Sequence, residues 1–124
     1  MGMKVLIVDD SSVMRKILER SLRQAAKESI DEVLEAGDGA EALEKLNGDG
    51  VNVIFSDINM PNLNGLDFLR ELQETPHKDL PVIIVTTEGG ERTVRQALTL
   101  GARGFIRKPF TAEQMEAVLA QALT

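Results

Sequence analysis

No cysteine, no tryptophan and no tyrosine occur among the 124 residues, and histidine occurs once, at His77. Without cysteine there can be no disulfide framework, no thiolate metal site and no thiol nucleophile. With a single histidine, an imidazole-built zinc site is excluded as well. His77 itself, in Thr75-Pro76-His77-Lys78, reads as a loop residue. Long apolar runs are also missing: Val5-Leu6-Ile7-Val8 and Val82-Ile83-Ile84-Val85 are far too short to span a bilayer. The opening Met1-Gly2-Met3-Lys4 leads into too few apolar residues before Asp9 for a secretory signal, so a cytoplasmic location is expected. Positive charge is in deficit, with 14 Lys and Arg against 20 Asp and Glu for a net −6. That balance argues against nucleic-acid binding, which needs a basic stripe, and against polybasic attachment to membranes.

What is present is an ordinary globular composition, 43% hydrophobic and 27% charged, which sets the chain apart from disordered ones. Its length suits one domain over residues 1–124, expected to be a monomer. Short apolar runs alternate with helical patterns and no repeat or linker intervenes. The strand patterns are β1 Lys4–Val8, β2 Asp31–Ala36, β3 Asn52–Ser56, β4 Pro81–Thr86 and β5 Gly104–Ile106. The helical patterns are α1 Ser12–Lys27, α2 Gly39–Leu46, α3 Gly65–Thr75, α4 Glu91–Leu100 and α5 Ala112–Leu123. In α5, Met115, Val118, Leu119, Ala122 and Leu123 repeat at helical spacing. Thr111-Ala112-Glu113-Gln114 before it reads as a capping box, and Asp38-Gly39-Ala40-Glu41 has similar spacing. Met14 and Met115 read as packing residues. Arg15, Lys16, Arg20 and Arg23 read as a solvated helix face.

Alternating strands and helices imply an α/β fold with a parallel sheet. The first, third and fourth strands are continuously apolar, as strands covered on both faces are. The second carries Asp31, Glu32 and Glu35, and the fifth is short with Arg103 and Arg107 beside it, which suits sheet edges. The order 2-1-3-4-5 satisfies this with right-handed crossovers. It places a ligand crevice between the ends of the first and third strands.

Asp9 and Asp10 follow the first strand and Asp57 follows the third, so all three carboxylates flank that crevice. Taken singly, such acids are helix caps or solvated loop residues. Together they repel, and a divalent cation relieves the repulsion; an all-oxygen donor set suits Mg²⁺. Thr86 closes the fourth strand with a hydroxyl donor, and Lys108, just past the fifth, adds a mobile cation. A carboxylate nucleophile, a metal site, a hydroxyl and a lysine at one sheet edge describe phosphoryl transfer, which depends on positioning and charge neutralisation.

These motifs give the chain a close resemblance to response-regulator receiver domains, particularly the single-domain chemotaxis type. The resemblance is carried by Val5-Leu6-Ile7-Val8-Asp9-Asp10-Ser11-Ser12 and by Ser56-Asp57-Ile58-Asn59-Met60-Pro61-Asn62-Leu63-Asn64-Gly65. Val85-Thr86-Thr87-Glu88 and Gly101-Ala102-Arg103-Gly104-Phe105-Ile106-Arg107-Lys108-Pro109-Phe110 complete it, so that it covers essentially the whole chain. It implies a flavodoxin-like (βα)5 fold, whose familiar strand order is the 2-1-3-4-5 argued above. It further implies that Asp57 takes a phosphoryl group from a histidine kinase. Asp10, Asp57 and the carbonyl of Asn59 would ligate Mg²⁺, with Asp9 assisting. Lys108 would pair with the phosphoryl group, while Thr86 and the Thr87 amide donate hydrogen bonds. Lys108-Pro109 would be a cis peptide, and Phe105 would be the aromatic that turns inward as Thr86 moves. Asn59 and Glu88 would govern water access and hence phosphoryl lifetime, aided in vivo by a phosphatase. A downstream target would read the α4-β5-α5 face, which carries Arg92, Arg95, Arg103 and Arg107.

By that reading the chain is a switch, not an enzyme. Departures from the family prototype are a longer α1 exit through Ala25-Ala26-Lys27-Glu28-Ser29, Phe105 in place of tyrosine, and Gly89-Gly90-Glu91 where basic residues precede α4. Two other classes share parts of the pattern. A haloacid-dehalogenase-type phosphatase needs a second Asp two residues beyond its nucleophile, whereas Asn59 follows Asp57 and Ser12 follows Asp10. A flavodoxin-like FMN binder lacks support because Trp, Tyr and a Ser/Thr-rich phosphate loop are missing. A receiver cut from a longer regulator stays open.

Overall fold

The computed structural model describes residues 2–26, 30–47, 50–86 and 91–122. Ten elements alternate: β1 Met3–Val8, α1 Ser12–Ala25, β2 Ile30–Ala36, α2 Gly39–Lys45, β3 Val53–Ser56, α3 Gly65–Leu72, β4 Val82–Thr86, α4 Glu91–Thr99, β5 Gly104–Arg107 and α5 Ala112–Ala122. The five strands form one parallel sheet in the order β2-β1-β3-β4-β5, as the strand chemistry predicts.

Side chains on a strand alternate between faces, and the three inner strands are apolar on both. Val5, Ile7, Val53, Phe55, Ile83 and Val85 meet Leu18 and Leu22 of α1 and Met115 and Leu119 of α5. Leu6, Val8, Ile54, Val82 and Ile84 meet Ala42 of α2, Phe68, Leu69 and Leu72 of α3, and Ala97 of α4. The helices therefore form two layers around the sheet. The edges differ: Asp31 and Glu32 on β2 are exposed, and β5 alternates buried Gly104 and Ile106 with exposed Phe105 and Arg107. Among the described residues, no helix is long and apolar enough to cross a membrane.

Helix starts follow their caps. Ser11, Asp38 and Asn64 side chains accept from the backbone N–H of Met14, Glu41 and Asp67 at 3.2, 2.8 and 2.9 Å. Before α5 the capping box is reciprocal: Gln114 N–H donates to the Thr111 hydroxyl at 3.1 Å, and Thr111 N–H to the Gln114 amide oxygen at 2.8 Å. The Asp38 motif departs by one residue, because the Glu41 carboxylate accepts from Gly37 N–H at 2.7 Å.

Several helices stop earlier than their apolar pattern suggests. α3 ends at Leu72, after which Glu74 and Thr75 N–H bond to carbonyls three residues back. Pro76 explains this, since it disfavours helical geometry at Thr75. α4 ends at Thr99, and Gly101 reverses the chain at φ +111°, with Ala102 N–H bonded to the Ala97 carbonyl. α1 ends at Ala25, and Ala26 is extended; Lys27, the expected last residue, lies outside the described residues, as does Leu123 of α5.

The face of α1 corrects an expectation. Arg15 is mostly buried, not solvated, and its Nε donates to Glu35 Oε1 at 2.8 Å. Lys16 Nζ reaches Glu35 Oε2 at 2.7 Å, and Lys45 Nζ donates to the Glu35 carbonyl at 2.6 Å. Sequence spacing could not show this, because the partner sits on β2. The Lys16 and Arg15 hydrogen bonds hold the Glu35 carboxyl below the usual glutamate range. A depressed carboxylate stabilises the fold above its unfolded pKa, and that contribution disappears as pH falls through the folded value. Glu35→Gln is therefore expected to cost up to about 1 kcal/mol at neutral pH, the scale of partly exposed ion pairs. In urea titrations the difference from wild type should shrink once pH falls below about 4.3.

Candidate functional site

The ladder hydrogen bonds run one residue past the strands and fix where the acids stand. Asp9 N–H donates to the Ala36 carbonyl at 3.0 Å, and Asp57 N–H to the Val8 carbonyl at 2.9 Å. Two acidic residues thus leave neighbouring strands side by side. Asp9, Asp10 and Asp57 each offer a carboxylate oxygen, and these oxygens lie within 4.8 Å of one another. Asp9 is buried, Asp57 partly buried and Asp10 exposed.

Asp9 is heavily engaged. Its Oδ1 accepts from Ser11 N–H at 2.9 Å and its Oδ2 from Lys108 Nζ at 3.2 Å. Lys108 Nζ is also 3.8 Å from Asp57 Oδ2, and the lysine side chain is only 10% exposed, so both contacts are shielded from water. Asp57 Oδ1 accepts from Ile58 N–H at 2.7 Å. Burial pushes the Asp57 carboxyl up from the ordinary range; the Lys108 ammonium and the Ile58 N–H pull it down, while the Asp9 and Asp10 charges add to the rise.

Thr86 ends β4 and is 1% exposed, and its carbonyl accepts from Lys108 N–H at 2.9 Å. The hydroxyl-bearing residue and the lysine are thus joined through the main chain. Lys108-Pro109 is a cis peptide. Asn59 is exposed in the loop leaving Asp57. Phe105 is 38% exposed on β5, with the Arg107 guanidinium carbon 5.8 Å from its ring centroid. Arg103 donates to the carbonyls of Ala122 and Asp79 at 3.3 and 3.2 Å. Thr87, Glu88, Gly89 and Gly90 lie outside the described residues.

The donor set fits Mg²⁺: three hard carboxylate oxygens, one buried and one exposed, at a spacing that a six-coordinate ion can bridge alongside water. Two supporting residues were not assigned roles from the sequence. Ser56 Oγ donates to the Asp57 carbonyl at 2.9 Å, and Arg15 Nη1 donates to the Asp9 carbonyl at 2.6 Å. Gly65, visible only as part of a motif, proves essential to the packing. A Cβ there would stand 2.3 Å from the Asp57 carbonyl oxygen and 2.8 Å from Ile58 Cα, both backbone atoms.

An acidic cluster with an adjoining lysine, at the carboxyl ends of the strands of a five-stranded 2-1-3-4-5 sheet, defines the receiver class. The chain belongs to the response regulator receiver domain family, whose model matches residues 5–120. Its relatives include chemotaxis proteins of the CheY type. It is 43% identical to chemotaxis protein CheY1 of Helicobacter pylori, over 94% of this chain and 97% of that one. It is 42% identical to a CheY homologue of Campylobacter jejuni, over 98% and 92% respectively. Among solved structures, chemotaxis response regulator CheY4 of Vibrio cholerae superposes with a TM-score of 0.85 at 34% identity, over 99% of this chain and 100% of that one. This is the receiver domain of a CheY-like response regulator, consistent with two-component signalling in chemotaxis.

Gly65→Ala is expected to destabilise the fold by about 1–3 kcal/mol, the usual cost of overpacking. Because the clash falls on the Asp57–Ile58 backbone, the acidic site should be perturbed as well. The check is a urea titration with parallel Mg²⁺ binding; unchanged values for both would contradict the packing account.

Proposed function

We propose that this chain is a phosphorylation-controlled switch that accepts a phosphoryl group on Asp57 from a phosphohistidine of a partner kinase. The observation that carries this reading is the Asp57 carboxylate beside Asp9 and Asp10, with Lys108 Nζ 3.8 Å from its Oδ2. Asp57 Oδ1 is occupied by the Ile58 N–H, so Oδ2 is the attacking atom. A P–O bond forms there as the P–N bond to the donor imidazole breaks, and the imidazole leaves with the electron pair. Asp10, Asp57 and the Asn59 carbonyl would hold Mg²⁺, with Asp9 assisting. The ion, when bound, neutralises charge on the phosphoryl oxygens and offsets the repulsion of the acids.

Lys108 exchanges its contact with Asp9 for the phosphoryl group, and the Thr86 hydroxyl turns toward the same group. Because Thr86 and Lys108 share a backbone hydrogen bond, these movements are transmitted to β5, where Phe105 stands on the edge. The α4-β5-α5 face, with Phe105, Arg92, Arg95 and Arg107, is then read by a downstream protein. A charge difference at such a rim alters partner choice and association rate. Within this reading the chain acts as a single receiver domain over residues 1–124, a cytoplasmic monomer reset by hydrolysis with or without a phosphatase. The relatives named above are chemotaxis proteins, which supports a role in that kind of pathway.

With acetyl phosphate and Mg²⁺, intact-mass analysis should show one added phosphoryl group on wild type and none on Asp57→Asn. Full labelling of Asp57→Asn at another residue would overturn the assignment. Lys108→Ala should retain Mg²⁺ binding in calorimetry while losing phosphorylation-dependent binding to its target. Loss of metal binding in that variant would place the lysine in a different role.

A further inference from the structure

Asp10 has an exposed carboxylate that forms no hydrogen bond or ion pair with another described residue, unlike Asp9 and Asp57. Its placement therefore comes from the backbone alone. The backbone there is gripped from the side: Arg15 Nη1 donates to the Asp9 carbonyl oxygen at 2.6 Å. The Asp9 carbonyl and the Asp10 N–H share one rigid peptide plane, so holding that oxygen fixes the plane and the position of the Asp10 Cα. Arg15 is fixed in turn, because its Nε donates to Glu35 Oε1 at 2.8 Å from β2, the strand on the far side of β1. Two donors of one planar guanidinium thus tie the edge strand to the Asp9–Asp10 turn, a geometry that a lysine ammonium cannot reproduce.

We propose that Arg15, held by Glu35, is a positioning residue for metal binding: it aims the otherwise unsupported Asp10 carboxylate by fixing the Asp9–Asp10 peptide. The inference rests on the reading of the acidic cluster as a Mg²⁺ site and names the support that reading needs. Charge and position here act in opposite senses. A guanidinium near a cation site repels the cation, so removing it on charge grounds alone should tighten Mg²⁺ binding. Losing its grip on the turn should weaken binding, as loss of residues that orient metal ligands does.

The test is isothermal calorimetry of Mg²⁺ with wild type, Arg15→Met, Arg15→Lys and Lys16→Ala, alongside a urea titration of each. Arg15→Met is expected to weaken Kd about 10-fold. Arg15→Lys, which keeps the charge and is the milder change for folding, is expected to weaken it too. Lys16→Ala removes an equal charge and another partner of Glu35 without touching Asp9, and should stay within about twofold of wild type. Unchanged or tighter binding in folded Arg15→Lys and Arg15→Met, with wild type binding normally, would overturn the positioning role. If wild type takes up no Mg²⁺, the metal reading fails first and the proposal falls with it.

Discussion

Three carboxylates are held together by the backbone whether or not their charges suit one another. The parallel ladder carries Asp9 and Asp57 out of adjacent strands through bonds to the Ala36 and Val8 carbonyls, and Asp10 follows in the same turn. The side chains have no freedom to avoid this, because β1 is buried on both faces and paired on both edges. Much of the site is organised around that repulsion. Lys108 crosses from the β5 end to reach both Asp9 and Asp57, and the N–H groups of Ser11 and Ile58 each turn toward one carboxylate. The response is partial: burial still pushes the Asp57 carboxyl upward, the Asp9 and Asp10 charges adding to the rise, and Asp10 is left without a partner among the described residues.

An unresolved repulsion of this kind makes a site responsive. Lys108 is the principal cation shared by two acids, so a new anion at Asp57 competes for it with Asp9. The Lys108 N–H bond to the Thr86 carbonyl links that competition to β4, and β4 pairs with β5 along its length. Rearrangement at the acids thus has a short covalent and hydrogen-bonded route to the exposed edge carrying Phe105. The rest of the fold serves to keep the apparatus stiff: two apolar layers clamp the inner strands, and Gly65 lets α3 press directly on the Asp57–Ile58 backbone.

The fold and the gathering of acids were legible because both follow from patterns along the chain. Continuous apolar strands imply a sheet covered on both faces, and charged or short ones imply edges, which fixes the order. Acids placed directly after the first and third strands must then meet. Helix ends were less legible where a later residue intervenes, as Pro76 does beyond α3 and Gly101 does beyond α4. The contacts of Arg15 were hidden for another reason: its partners, Glu35 and the Asp9 carbonyl, are on another strand and on the main chain. Side-chain periodicity on α1 alone made it one of four similar basic residues. Arg103 is a comparable case, since its bonds to two carbonyls depend on where α5 and the loop before β4 end.

The most direct test of the central claim is the thermal midpoint of wild type and Asp10→Asn, each with and without Mg²⁺. If repulsion among the acids is the governing constraint, Asp10→Asn should melt higher than wild type in the absence of metal. Mg²⁺ at about 100 times its Kd should stabilise wild type by about 2.7 kcal/mol and raise its midpoint by several degrees. The variant should gain much less. A metal-free Asp10→Asn protein that melts below wild type, with an undiminished response to Mg²⁺, would contradict the account.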